Sequence, residues 1–235
     1  MPRIPPSEVA AILTRNLDAV KNRIAVACNR ANRDPAEVTL VAVTKYVDSS
    51  VAQALVDVGQ HDLAESRPQE LWKKAAEVTG DVHWHLVGRL QSNKIRRTLR
   101  VASLVHSIDQ RALAAQISNE AIANNQIAHG LIQVKLTAEP TKLGFDVDKL
   151  FRDWDSLKWC TGLEVRGLMC MAALDADEQA SRSTFRALCY LRDSLKTPER
   201  PLPILSMGMS GDFELAIEHG ATHIRIGSAL FEGLL

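Results

Sequence analysis

Several things are scarce in these 235 residues, and each scarcity excludes a class of protein. There are only four cysteines, Cys28, Cys160, Cys170 and Cys189, and no two of them form a C-x-x-C pair. That spacing suggests neither a thiolate zinc site nor a disulfide framework, so reduced thiols in a cytoplasmic chain are expected. No apolar run approaches the ~18 residues of a membrane span. The start, MPRIPPSEVAAIL, lacks the basic head and continuous apolar stretch of a signal peptide. Net charge is missing as well, because 28 Lys plus Arg balance 28 Asp plus Glu. A neutral chain has no general attraction for nucleic acid or anionic lipid. No Gly/Ser-rich linker, low-complexity tract or charge block divides the sequence, so one domain over residues 1–235 is expected. A chain of this length buries roughly 70 to 75% of its unfolded surface, so stability by itself demands no metal or cofactor.

What is present is an alternation. Eight short runs rich in branched apolar residues recur along the chain: VTLVAVTKY from Val38, DLAES from Asp62, VHWHLVG from Val82, LVHSID from Leu104, LIQVKLT from Leu131, VRGLMCM from Val165, PILSM from Pro203 and THIRIG from Thr222. Each is followed by a candidate helix. Eight strand-plus-helix units in a chain slightly below the ~250 residues typical of a (β/α)8 TIM barrel predict that closed α/β fold over an open sheet. Ahead of the first strand, Ser7 is a candidate cap for an extra helix within a helical extension over residues 1–35. Its apolar stripe, Val9, Ile12, Leu13, Leu17, Val20 and Ile24, suits packing outside the barrel.

Barrels of this kind work at the C-terminal ends of their strands, often with a phosphate cradle after strands seven and eight. Strand seven runs into SMGMSGD and strand eight into IGSALFEG, where Gly227 and Ser228 are expected to open a final helix. Glycine admits a close anion, helix-start amides point outward, and serine hydroxyls add donors. Gly227, Ser228, Ser210 and, less directly, Ser206 are therefore candidate phosphate contacts. The plainer alternative is that Ser210 and Ser228 cap helices. On the first strand, alternation places Thr39, Val41, Val43 and Lys45 on one face, expected to point inward. A lysine desolvated in a barrel mouth favours the neutral amine that condenses with an aldehyde or ketone; the alternative is a strand-end lysine in solvent. Arg225 shares the parity of His223 and Gly227. It either pairs with a heterocyclic ring nitrogen, keeping that nitrogen an unprotonated acceptor, or forms a rim salt bridge to Glu218 or Glu232. His83 and His85 form an H-x-H pair, read as structural or cofactor-adjacent histidines sooner than as metal ligands. Lys94, Arg96, Arg97 and Arg100 read as a solvated basic face.

An amine, a phosphate cradle and a cation for a ring nitrogen suit pyridoxal 5'-phosphate, although these arguments leave phosphosugar enzymes open. Six ordered motifs go further: LVAVTK (Leu40 to Lys45), WHLVGRLQSNK (Trp84 to Lys94), EPTKLGF (Glu139 to Phe145), GLM (Gly167 to Met169), LSMGMSGD (Leu205 to Asp212) and RIGSALFEG (Arg225 to Gly233). Through them the chain resembles the pyridoxal phosphate homeostasis proteins, which are similar to the N-terminal barrel of alanine racemase. The resemblance implies that Lys45 carries the cofactor as a Schiff base, that Arg225 sits at the pyridine nitrogen, and that the SMGMS and RIGS loops hold the phosphate. Ser66 stands where the family usually has the Asn of Gly-Glu-Asn, Ser228 replaces a common Thr, and Met169 either packs against the ring or belongs to the core.

Racemisation through this cofactor needs bases on both faces of the substrate carbon, and alanine racemases take one, a tyrosine, from a second domain. Here only Tyr46 and Tyr190 are available, Tyr46 with strand parity opposite to Lys45 and Tyr190 in mid-helix. The expectation is a monomeric pyridoxal phosphate-binding protein of vitamin B6 homeostasis, with cofactor-dependent apoenzymes as recipients and no strong catalysis of its own. A narrow-scope amino acid racemase using Lys45 with Tyr46, His85 or water, and a Schiff-base aldolase with a phosphorylated substrate, are the alternatives.

Overall fold

The structure, a computed structural model, describes residues 5–137, 143–173 and 175–235. Eight parallel strands form one closed barrel in chain order. They are β1 (Thr39–Val43), β2 (Asp62–Glu65), β3 (His83–Leu86), β4 (Ala102–Ile108), β5 (Ala128–Gln133), β6 (Leu163–Met169), β7 (Ile204–Ser206) and β8 (His223–Ile226). β8 closes on β1 in a register running from Thr39 opposite His223 to Ala42 opposite Ile226. Each of the eight apolar runs becomes a strand.

Alternation sorts the strand side chains into two layers. Leu40, Ala42, Leu63, Leu86, Leu168, Leu205, Ile224 and Ile226 join the main core between sheet and helices. Inside the barrel, Leu104, Leu131, Met169 and Ile204 make a separate apolar cluster from β4 to β7. Gly167, in the GLM motif, is required by close approach, since a Cβ there would stand 1.8 Å from the Ile204 carbonyl oxygen of β7.

The helices are α1 (Pro6–Arg30), α2 (Ser49–Asp57), α3 (Pro68–Glu77), α4 (Ile95–Leu99), α5 (Arg111–Ala123), α6 (Val147–Trp154), α7 (Glu178–Leu195) and α8 (Phe213–Glu218). The stripe expected on α1 is the face it buries, with Leu13, Leu17, Val20 and Ile24 inside. Ser7 does not cap it. The helix begins at Pro6 behind Pro5, because proline presets the helical φ and has no amide hydrogen left unsatisfied in the first turn.

The helix expected after β8 does not form either. From Gly227 the chain makes successive turns, with Leu230 N–H donating to Gly227 O (3.0 Å) and Phe231 N–H to Ser228 O (3.2 Å). α1 packs against both α8 and α2, the place in the ring where a helix following β8 would lie. Its Asn16 side chain donates to the carbonyls of Leu230 (3.1 Å) and Glu232 (2.9 Å), tying the turns down. The helix that precedes the first strand thus completes the ring of eight.

Candidate functional site

The C-terminal rim begins where β1 ends. After Val43 the chain leaves the sheet at Thr44, whose amide donates to Ala64 O (2.9 Å) and whose carbonyl accepts from Val47 N–H (3.1 Å). This turn lifts Lys45 onto the rim, so its side chain is exposed instead of buried as expected. Its Nζ lies 4.6 Å from the centroid of the Tyr46 ring, a cation–π contact. Beneath it Thr44 is held on three sides. Lys74 Nζ donates to the Thr44 carbonyl (2.7 Å) and to Glu65 Oε1 (2.5 Å), and the Thr44 hydroxyl donates to the same Glu65 oxygen (2.6 Å). All three residues are buried.

The loops after β7 and β8 are knitted together, since Arg225 N–H donates to Gly208 O (3.0 Å). Gly208 has φ +92° and lies so close to α8 that a Cβ would meet Ala216 Cβ at 2.7 Å, so only glycine turns the chain here. Met209 N–H donates to Asp212 Oδ1 (2.6 Å), and Asp212, not Ser210, occupies the cap position of α8. With no helix after β8, Ser228 caps nothing either, so the capping alternative fails for both serines. Among the described residues the amides of Ser210, Gly211, Ser228 and Ala229 find no acceptor. Gly227 sits under the end of β1, where a Cβ would approach Val43 O to 3.3 Å. That contact brings the β8 loop to within two residues of Lys45.

Arg225 makes no rim salt bridge. Glu218 instead bonds Arg182 (2.7 Å), and Arg225 forms no ion pair with any described residue. It is 5% exposed, donating from Nη1 to Ser206 Oγ (2.6 Å) and from Nη2 to Cys170 O (3.0 Å). Burial depresses its pKa, opposed by the charges of Cys170 and Asp212. Ser206, expected at the phosphate, is wholly buried and committed to Arg225 and to His106 Nδ1 (2.8 Å).

The polar contacts continue through the barrel. His106 Nε2 lies 2.9 Å from His85 Nδ1, and His85 Nε2 lies 3.1 Å from Asp62 Oδ1. His223 packs beside both imidazoles, its ring centroid 6.3 Å from each. Burial, reinforced by His85, Arg225 and His223, drives the His106 pKa well below its ordinary value, so its ring is neutral. The same desolvation, with His85 next in size, lowers His223 to about 4. For Asp62, burial pulls upward but is outweighed by the His85 hydrogen bond and the charges of His85, His83 and His223, leaving the carboxyl below its usual value.

Thus the structure joins three of the expected site residues, Arg225, Ser206 and His85, in one network, with Met169 in the apolar cluster alongside. Ser66 lies at the end of β2, its carbonyl occupying the space that a side chain on Gly88 would need. Residues Glu139 to Lys142 of the EPTKLGF motif lie outside the described residues. His83 is exposed at 3.5 Å from Asp62, and no described group of three or more His, Cys, Asp or Glu side chains is arranged for a metal. In the basic face, Arg96 approaches Glu120 (3.7 Å) and Arg97 stacks on Trp72. Sequence reasoning missed His106, Asp62, His223 and the Thr44–Glu65–Lys74 cluster. A histidine inside the apolar run LVHSID, with inward parity, was the available signal for His106.

The alanine racemase N-terminal domain family matches residues 15–234. A pyridoxal phosphate homeostasis protein of Aquifex aeolicus is 37% identical over 217 residues, covering 92% of this chain and 95% of its own. The structure of PipY from Synechococcus elongatus with PLP bound superposes with a TM-score of 0.84 at 31% identity, over 93% of this chain and 99% of PipY. An alanine racemase from Clostridium difficile shares the fold alone, with a TM-score of 0.77 at 14% identity, and only 56% of that longer chain is covered.

Proposed function

The chain belongs to the pyridoxal phosphate homeostasis protein family, built on the alanine racemase N-terminal barrel, and from that premise we propose that it binds pyridoxal 5'-phosphate at the C-terminal mouth and holds it without strong turnover. The observation that carries this reading is Arg225. A buried guanidinium whose bonded neighbours are a hydroxyl and a carbonyl, both neutral, retains N–H donors and positive charge for one more acceptor.

When bound, the cofactor supplies an aldehyde, an anionic phosphate and a pyridine nitrogen. The residues present fit all three. The Lys45 amine is exposed and accessible, and the Thr44–Glu65–Lys74 cluster fixes the backbone that carries it. Four unpaired amides and the hydroxyls of Ser210 and Ser228, around Gly227, are suited to a phosphate. Arg225 would donate to the ring nitrogen and, being a cation that keeps its proton, would leave that nitrogen unprotonated. Ser206 and His85 act through Arg225, Met169 belongs to the apolar floor, and Ser66 borders the mouth.

A weak electron sink favours holding over chemistry, and so does the supply of acid–base groups. Both ring nitrogens of His85 are bonded, Tyr46 stacks on the Lys45 amine, and Tyr190 is exposed on α7. That leaves a narrow racemase without a second base among the residues considered for one. Supply of cofactor to dependent apoenzymes, a monomeric state and cytoplasmic residence complete the proposal. No described helix is long and apolar enough to cross a membrane.

Mass spectrometry after borohydride reduction tests the reading. The cofactor should be fixed to Lys45, and Lys45→Ala should abolish the adduct while the fold persists. An undiminished adduct in the variant overturns the assignment, and a wild-type protein without cofactor absorbance favours the aldolase.

A further inference from the structure

The contacts inside the barrel form an unbroken series from Arg225 on β8, through Ser206 on β7, His106 on β4 and His85 on β3, to Asp62 on β2. Its two ends fix the outer links, and the tautomer of His106 sets the inner ones. A guanidinium can only donate and an ionised carboxylate can only accept. With Arg225 donating to Ser206 Oγ, the serine hydroxyl is free to donate to His106 Nδ1, its remaining neighbour in the series. A neutral imidazole accepting at Nδ1 carries its hydrogen on Nε2, which His106 therefore donates to His85 Nδ1. By the same rule His85 donates from Nε2 to Asp62. Every link then has one hydrogen and every donor an acceptor.

The series also links five strands around the barrel interior. Asp62 is the first residue of β2, and Ser206, the last residue of β7, stands beside His223 in the β7–β8 register. Asp62 is 28% exposed at its side chain, while every link between it and Arg225 is buried. Asp62 thus reaches Arg225 through polarised hydrogen-bonded groups, while Asp212 acts on the guanidinium through its charge.

Building on the cofactor-binding reading above, we propose that Ser206, His106, His85 and Asp62 are positioning residues that form a one-way hydrogen-bond relay, holding the Arg225 guanidinium in place at the cofactor ring and tuning its electrostatic environment through the barrel interior. None of the four touches the reacting atoms. The arrangement explains why Ser206 is unavailable to phosphate, why two histidines lie buried without metal ligand geometry, and how a buried arginine is held without an ion pair among the described residues.

Two measurements test the relay. In the purified protein without added cofactor, 15N NMR of the imidazoles at neutral pH should show His85 and His106 as neutral rings protonated at Nε2. A hydrogen on Nδ1 of His106, or an imidazolium at His85, reverses the series and overturns the relay. In the cofactor-loaded protein, His106→Phe keeps a ring in the core but cannot pass a hydrogen bond. It should shift the absorption of the bound cofactor and weaken its retention on the order of ten-fold, as loss of a supporting hydrogen-bond partner does at other sites. Asp62→Asn, partly exposed and isosteric, guards against misfolding of the first variant and should shift the spectrum in the same direction with a smaller loss. If the wild type forms the Lys45 adduct and both variants match its spectrum and retention, the relay is overturned and the binding reading stands. If the wild type forms no adduct, the binding reading falls and takes the role toward a ring with it.

Discussion

The barrel carries two buried polar clusters that solve the same problem in opposite ways. Between β2 and α3, Lys74 and Glu65 meet at 2.5 Å and share Thr44, so charge is cancelled in contact. Inside the barrel, Arg225 and Asp62 are kept apart by a serine and two histidines. The first cluster is closed, because both charges are spent on each other and on the backbone below Lys45. The second is open at one end, where a guanidinium keeps donors in hand. A buried ion is expensive unless compensated nearby, so a fold that leaves one partly uncompensated leaves room for a ligand to finish the job.

The sharpest way to break this comparison is to open the closed cluster. Lys74→Met strands the Glu65 carboxylate in the core, where its Oε2 already has no partner, and should destabilise the protein by about 3–5 kcal/mol. The double replacement Lys74→Met with Glu65→Leu should recover most of that loss, since neither charge remains. Urea unfolding of the wild type and both variants measures this. A single variant costing under about 1 kcal/mol would show that the pair does not anchor the rim.

Acid probes the open cluster. The His223 pKa falls to about 4 in the fold, against about 6.5 in an unfolded chain. A neutral, half-buried histidine costs nothing above the unfolded value. As pH drops below about 6.5 the unfolded chain takes up protons that the native barrel refuses, and stability is lost until the native pKa is reached. For His223 the loss amounts to about 3 kcal/mol between pH 6.5 and 4. His106, depressed by burial in the same way, adds to it with the same sign. Asp62 works through the other rule: its lowered carboxyl stabilises above the unfolded value, and that contribution disappears as pH falls through the native one. His223→Asn should flatten this acid limb, and an unchanged limb would place the titrating groups elsewhere.

How much of this could be read from the chain depends on how far apart the partners lie. All eight strands were legible, because alternation is local and each run carries it within a few residues. Arg225 and Lys45 came from motifs that resemble a known family. The relay was not legible, since His106 and Ser206 are 100 positions apart and meet only through barrel closure. The final helix was misread for a related reason: GSALFEG has no local signal against helix, but α1, from the other end of the chain, fills that place and claims the Leu230 and Glu232 carbonyls. Lys45 was expected in the mouth because parity was extended two residues beyond β1, past the turn at Thr44 where parity no longer applies.

The smallest expected effect on stability sharpens the comparison from the rim. Ser228 is exposed, begins no helix and donates to nothing described, so it belongs to neither cluster. Were it a helix cap, Ser228→Ala would cost about 1 kcal/mol. As a rim hydroxyl awaiting an anion, it should change folding stability by less than about 0.5 kcal/mol. The same variant should weaken retention of pyridoxal 5'-phosphate more than that of pyridoxal, because the deleted donor is assigned to the phosphate alone. Equal weakening of both ligands would move Ser228 from the phosphate to the ring, and a stability loss without a binding loss would return it to the scaffold. Only the pattern of unchanged folding with a phosphate-selective loss places it at the open end, where the barrel leaves its polar groups for a ligand to satisfy.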